Sequence, residues 1–391
     1  MQRARNRVFR LPERLVLPVN LRYDNRVNTG GAMKGDKQQR TKDAGNGRKQ
    51  AVTIHDVARH AGVSSMTASR VVNQRHHVSE EMRERVMASV RALGYKPNLA
   101  ARAARTGNLQ IGLLYSNPNS SNLSAFLMGA FLEAGKLGYQ LLVEPTATHP
   151  TYIAAVRKLV EHGVEALILP PPLCDDEEIL RMLRKRGVTA VAFTTAKPRS
   201  DTSAVLIDDY KGAVMMTERL IALGHRDIAF VRGDMKHSTA VRREEGFRAA
   251  MAEAEIEVRP EWVVDGDFTY RGGLEAGRRL LETGERPTAI FASNDDMATA
   301  VLAVAHGLGL AIPGEVSVAG FDDTPVATAV WPELTTIHQP IADMAAQAIL
   351  LALEGLRRRR EGEATSITHR HAELELIERA SIGAPPRRKR R

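Results

Sequence analysis

A chain of 391 residues with 43% hydrophobic content is long enough for two or three domains with buried cores. No apolar run approaches the roughly 18 residues of a membrane helix, and the single cysteine, Cys174, excludes an internal disulfide framework and a cysteine-rich metal site, which fits a reducing cytoplasm. The net charge of +9 is unevenly spread: residues 1–50 carry +9, residues 51–107 carry +5 and residues 387–391 carry +5, so the ends attract phosphates while the middle, at −10, repels them.

Residues 1–50 show neither helical nor strand periodicity and are rich in Arg, Asn, Gly, Lys and Gln, the composition of a disordered basic extension. Leu11, Leu15, Val16, Leu17 and Val19 are interrupted by Pro12, Glu13, Arg14 and Pro18, which rules out a secretory apolar segment. As a functional element such an arm has non-specific affinity for DNA.

The stretch 51–97 reads as a helix-turn-helix unit. Ile54, Val57, Ala58 and Ala61 fall on one helical face, with Thr53 and Asp56 as a capping pair. Gly62 supplies a residue able to take positive φ, Val63 an apolar plug and Ser64 a second N-cap, after which Ala68, Val71 and Val72 mark the inward side of a second helix. At 100° per residue Met66 and Arg70 point away from that side, flanked by Thr67 and Ser69, with Ser65 near the edge. Short hydroxyls suit phosphate oxygens and a guanidinium forks onto a guanine edge, so this face is suited to a DNA groove. A plain helical hairpin with a polar side is the alternative. The stretch ends at Asn73; His76 and His77 fall in the following turn, where a phosphate contact and a solvated loop are both open. Ser79 opens a third helix whose Met82, Val86, Val90 and Leu93 complete a three-helix core before Gly94 ends it. Asn98 caps a short segment, 99–105, that contains Ala101, Arg102, Ala104 and Arg105.

From residue 109 short apolar runs alternate with helical segments. The runs begin near 111, 139, 166, 188, 204, 227, 262, 289 and 316, a spacing that leaves room for one crossover helix each time. This predicts parallel α/β sheets in two doubly wound subdomains, with ligands expected where polar residues follow the runs.

The order and spacing of VTIHDVARHAGVSSMTASRVVN, VSEEMRERVMASVRALGYKPN, GHRDIAFVRG, FASNDDMA, SVAGFDD and LTTIHQP, from residue 52 to about 380, resemble the lac repressor and galactose repressor family of bacterial transcription regulators. The resemblance implies a small all-α helix-turn-helix domain (51–97), a hinge (98–108) that lies in the minor groove of operator DNA, a type I periplasmic-binding-protein-like α/β core (109–380) that binds a small effector and dimerises, and a basic tail (381–391). Because the family usually begins close to its helix-turn-helix, Met33 stands as an alternative start. Ala104 aligns with the family's wedge leucine, and alanine has little to insert between base pairs. The tail has no leucine heptads of the kind that make tetramers, so a homodimer is expected.

The helical face and the resemblance together give the expected DNA contacts as Thr53, Ser64, Ser65, Met66, Thr67, Ser69, Arg70, Asn73, His77, Asn98, Ala101, Arg102, Ala104 and Arg105. The resemblance assigns effector contacts to Ser116, Asn117, Arg243, Phe268, Asn294, Asp322 and Gln339, read as strand-end residues. Arg243, Asn294 and Asp322 offer donors and acceptors for paired hydroxyls and Phe268 an apolar face, a set suited to a sugar; a purine would need a second aromatic, for which Tyr115 is the candidate. The pairs Asp295–Asp296 and Asp322–Asp323 invite an acid–base or metal reading, but no histidine pair, cysteine cluster or third carboxylate accompanies them at ligand spacing. GDFTYRGG has neither the spacing nor the context of a nucleotide fingerprint, and the first βα turn lacks the glycines of a dehydrogenase. A secreted solute-binding protein would share the α/β body but not the basic helix-turn-helix. The sequence therefore reads as a cytoplasmic, ligand-responsive repressor of sugar-uptake or catabolic genes, not an enzyme, with no cofactor or metal, and with a purine-responsive regulator of the same family as the alternative.

Overall fold

The computed structural model describes residues 52–72, 79–93, 95, 110–364 and 366–386. The extension 1–50, Asn73, His77, Gly94, Asn98, Ala101, Arg102, Ala104, Arg105 and the basic end 387–391 lie outside the described residues.

The first helices are α1 (Ile54–Ala61), α2 (Ser65–Val72) and α3 (Glu80–Leu93). Thr53 caps α1 reciprocally: its hydroxyl accepts from Asp56 N at 3.4 Å while its own N–H donates to Asp56 Oδ2 at 2.9 Å. Gly62, at φ 64°, ends α1 in the left-handed conformation that a side chain would resist. Thr67 N donates to Ser64 Oγ at 3.1 Å, so Ser64 caps α2 as its sequence position predicts. Val57, Ala58, Ala61, Ala68, Val71 and Val86 form the small core, with Val63, Val90 and Leu93 packed on it. Met82 does not join that core; Ser89 is buried on α3 instead, where His60 Nδ1 lies 3.0 Å from its hydroxyl.

The first α/β subdomain runs β1 (Gln110–Tyr115), α4 (Ser121–Leu137), β2 (Gln140–Pro145), α5 (Tyr152–Glu161), β3 (Ala166–Leu169), α6 (Glu177–Arg186), β4 (Thr189–Phe193) and β5 (Ser203–Leu206). The second follows with α7 (Asp209–Ala222), β6 (Ile228–Arg232), α8 (Ser238–Glu253), β7 (Val263–Asp265), α9 (Tyr270–Leu281), β8 (Ala289–Ala292), α10 (Asp295–Gly307) and β9 (Ser317–Ala319). β10 (Thr336–His338) then leads to α11 (Ile341–Glu361) and β11 (His369–His371), and β12 (Glu375–Ile377) pairs antiparallel with β10.

Both main sheets are parallel. Their strand orders are β2-β1-β3-β4-β5-β11 and β7-β6-β8-β9. All nine apolar runs are strands, and those of the inner positions, such as Ala166–Leu169 and Ala289–Ala292, are buried throughout, as expected of strands covered on both faces. The chain crosses between the subdomains three times: at Ile207–Asp208, at Gln339–Pro340 and at Ala372–Leu374. After the second crossing α11 packs against α4, β3, β4 and β5, and β11 adds the last strand beside β5, so the first subdomain is completed by late sequence. The tail begins later than the sequence suggests. Ser381 and Ile382 are buried, Ser381 Oγ bridges Val318 O and Thr335 N, and Gly383 O accepts from the buried His225 ring at 2.8 Å. Among the described residues no helix is long and apolar enough to cross a membrane.

Candidate functional site

In doubly wound sheets the two chain directions diverge at the point where strand order reverses, leaving a crevice beyond the strand ends. Here those points lie between β1 and β3 in one subdomain and between β6 and β8 in the other. Ser116 and Asn117 follow β1, and Asn294 follows β8, so each crevice has sequence-predicted site residues at its strand ends.

Asp322 is the centre of the cleft. It is 6% exposed and sits at φ 120°, with Asp323 beside it at φ 56°, two strained backbone positions that the surrounding hydrogen bonds hold in place. Its carboxylate accepts from Asn122 Nδ2 at 2.7 Å, from Gln339 Nε2 and from Arg243 Nη1 at 3.4 Å. Arg243 is not a strand-end residue: it lies within α8, and only its long side chain reaches the cleft. Its Nε donates to Asp209 Oδ1 at 2.8 Å, its Nη1 to Ser293 O, and its guanidinium lies 3.7 Å over the Phe321 ring and 5.9 Å from that of Phe268. The Nε and Nη1 donors of the fork are thus engaged by the protein itself.

Asn294 is spent on structure. Its Oδ1 accepts from Met297 N to cap α10, and its Nδ2 donates to Phe268 O at 3.1 Å. That bond fixes Phe268, at φ 63°, with its ring against Gly233, where a Cβ would collide with it. His237 lies 5.4 Å from the Phe268 ring, and burial holds its pKa below the usual histidine range. Asp295 and Asp296 open α10 rather than end a strand, so they diverge by a helical turn angle. Asp295 faces inward to the Thr324 N–H and the hydroxyls of Thr324 and Thr336; burial, then the neighbouring Asp322, raises its pKa. Burial likewise raises that of Asp322, against the pull of Arg243. Asp296 faces the cleft and accepts from the Ser121 N–H and hydroxyl.

Ser121 and Asn122 come from the first subdomain, Asp296 and Asp322 from the second, and Ala196 N adds a 3.1 Å bond to Ser238 Oγ. The cleft is thus tied by direct hydrogen bonds between its walls. Sequence reasoning does not reach Ser121, Asn122, Asp209 or His237. Only Asp209 carries a visible signal, a polar residue after the apolar run 204–207. Among the described residues no cluster of three His, Cys, Asp or Glu side chains is arranged to hold a metal, and Cys174 is a buried thiol whose pKa burial raises.

The other candidate surface is α2. Met66 is 65% exposed and Arg70 is exposed beside it, whereas the flanking hydroxyls have partners: Ser64 Oγ lies 2.8 Å from Thr67 Oγ1, Ser65 Oγ 2.9 Å from His55 Nδ1, and Thr53 Oγ1 donates to Asp56. Ser69 is also engaged.

Residues 53–98 match the description "Bacterial regulatory proteins, lacI family" and residues 217–382 a "Periplasmic binding protein-like domain". The chain is 32% identical over 336 residues to the HTH-type transcriptional repressor PurR of Photorhabdus laumondii, covering 84% of this chain and 96% of that one. The chain belongs to the lacI family. The corresponding PurR of Serratia proteamaculans is 33% identical over 85% of this chain and 98% of its own length. Among solved structures, the transcriptional regulator CelR–cellobiose complex is 30% identical with a TM-score of 0.64, covering 84% of this chain and 99% of that one. The lac repressor dimer bound to operator and the anti-inducer ONPF is 28% identical with a TM-score of 0.62, covering 86% and 100%. These lacI-family proteins share the helix-turn-helix and the two-subdomain α/β core described above.

Proposed function

We propose that the chain is a sequence-specific repressor that binds near-palindromic operator DNA as a cytoplasmic homodimer and is controlled by a small, neutral, polyhydroxylated effector in the cleft. The observation that carries the effector class is a surplus of acceptors: Asp209 and Asp322 share the single guanidinium of Arg243, and Asp209 Oδ2 is buried with no donor among the described residues. Such a site repels acids and welcomes hydroxyl donors, with Phe268 against an apolar sugar face. Asn122 reaches Asp322 from the opposite subdomain, so an effector that takes over Asp322 alters the contact between the walls. That change, passed to the hinge at 98–108, links the effector to operator binding. The exposed Met128, Phe131 and Leu132 on α4, and Trp331 beside Tyr270, Val326 and Val330, support pairing with a second copy.

A purine effector is the second reading. His237 against Phe268 supplies the paired flat rings that the sequence offered only through Tyr115, and the PurR relatives favour it. A thermal-shift series of the purified chain against neutral sugars, purines and sugar acids separates the two, since a ligand at 100 times its Kd adds about 2.7 kcal/mol. The sugar reading predicts a shift with a neutral sugar, lost in Asp322→Ala. Shifts with purines or acids alone overturn it.

A further inference from the structure

Helices α6 and α11 end side by side at one edge of the first subdomain. The last turn of α6 carries Arg184, Lys185 and Arg186, and that of α11 carries Arg358, Arg359 and Arg360, with Arg357 just before it. A Cβ at Gly187, the residue that closes α6, would lie 3.8 Å from Arg359 Nη1. Arg359 and Arg360 both reach Glu165, the latter at 2.7 and 2.8 Å, and Glu165 N donates to the carbonyl of Gln110, the first residue of β1. Because the sheet is parallel, its strand starts share this edge; the cleft lies at the other. The arginine-rich rim therefore stands one strand away from where residues 96–109 join the core.

Helix dipoles explain a cation or two at such ends, each contributing about 0.3 to 1 kcal/mol when exposed. They do not explain this concentration on a core of net charge −10. Part of it is neutralised locally, by Glu354 on Arg358, Glu361 on Arg357, and Glu177 and Asp201 on Arg184. Lys185 and Arg186 are exposed and, among the described residues, form no ion pair. The linker bounds what they can meet: residues 96–109, even fully extended at about 3.3 to 3.6 Å each, keep the end of the helix-turn-helix unit within roughly 50 Å of the start of β1, one strand from the rim.

We propose that this rim is a second DNA contact, sequence-independent, gripping the phosphate backbone of double-stranded DNA beside the segment that α2 reads. The proposal rests on the chain binding DNA through its helix-turn-helix. A cation that replaces a counterion at a phosphate makes affinity fall more steeply with salt, by a slope of about 0.9 per neutralised phosphate.

The test uses the full chain and a labelled random-sequence duplex several helical turns long, with affinity followed against salt. Lys185→Gln/Arg186→Gln is expected to make the slope of log affinity on log salt shallower by about 0.9 for each phosphate that is no longer neutralised. Arg278→Gln/Arg279→Gln removes the same charge from the exposed side of α9 in the second subdomain and is expected to leave the slope unchanged. Glu165→Gln releases Arg359 and Arg360 and is expected to steepen it. An unchanged slope in the rim variant, or an equal fall in the α9 control, overturns the rim while leaving the α2 reading intact. A wild-type chain that binds no duplex overturns both. Equal melting temperatures certify the folds, and Arg186→Gln alone carries the test if the double variant melts early.

Discussion

Helix α2 and the cleft place their working side chains in opposite ways. On α2, Met66 and Arg70 stand in solvent on a frame held by its own caps and a six-residue core. In the cleft, Arg243 and Asp322 are at most 6% exposed and already satisfy one another. Under the function proposed above, the first surface meets DNA ready-made, and changing it costs binding but no stability, whereas the second exchanges internal bonds for those of an effector, so that its residues serve folding and response together.

The sharpest break in this comparison is Arg243→Ala. It leaves Asp209 and Asp322 buried without their cation, and unfolding in denaturant is expected to show a loss of about 3 to 5 kcal/mol. A loss under 1 kcal/mol would mean that the network is ornamental.

Next comes pH. Asp295 has a folded pKa raised above its unfolded value, so the unfolded state gives up the proton first, and its contribution is lost as pH rises above the ordinary carboxylate range. Asp295→Asn removes that titration. Its stability is expected to decline less between pH 5 and pH 8 than that of the wild type, by at least about 1.4 kcal/mol, the equivalent of one pK unit. Parallel stability–pH curves would assign the slope to other groups.

Arg70→Ala reverses the pattern seen at Arg243. Melting should stay at the wild-type value, while operator binding weakens by about 1 to 3 kcal/mol per half-site and preference relaxes at one base pair. Equal losses on operator and random DNA would reduce Arg70 to a phosphate contact.

The smallest effect belongs to the frame of α2. Thr53→Ala opens the reciprocal cap of α1 and is expected to cost about 1 kcal/mol in the small helical unit, read by hydrogen exchange there, with no change in the core. A change of the same size in core amides would contradict the independence of the two regions.

The same contrast decides what sequence reading reaches. The inward faces of α1 and α2, the caps at Thr53 and Ser64 and the left-handed Gly62 follow from residues within a few positions of one another, and all are where periodicity puts them. The nine strands β1 to β9 are equally legible as apolar runs. β10, β11 and β12 are not, because segments such as His369–His371 lie in no apolar run and form strands only where the chain recrosses. The cleft fares similarly: Asn122 and Asp322 meet across 200 positions, and no local pattern marks Asn122 as their link. Arg243 reaches the cleft from a helix, so the rule that ligands gather at strand ends misplaces its backbone while finding its side chain.

The late return of the chain to the first subdomain has a consequence for its synthesis. β1 to β5 leave the ribosome before the second subdomain, but α11, which covers β3, β4 and β5, and β11, which closes the β5 edge, are made after most of it. Until they arrive, an apolar sheet face and an open strand edge stay uncovered while the whole second subdomain is being translated. The two subdomains therefore do not mature one after the other in the order they are written: the second can close on itself while the first still waits, which makes the nascent first sheet the stretch most in need of a chaperone.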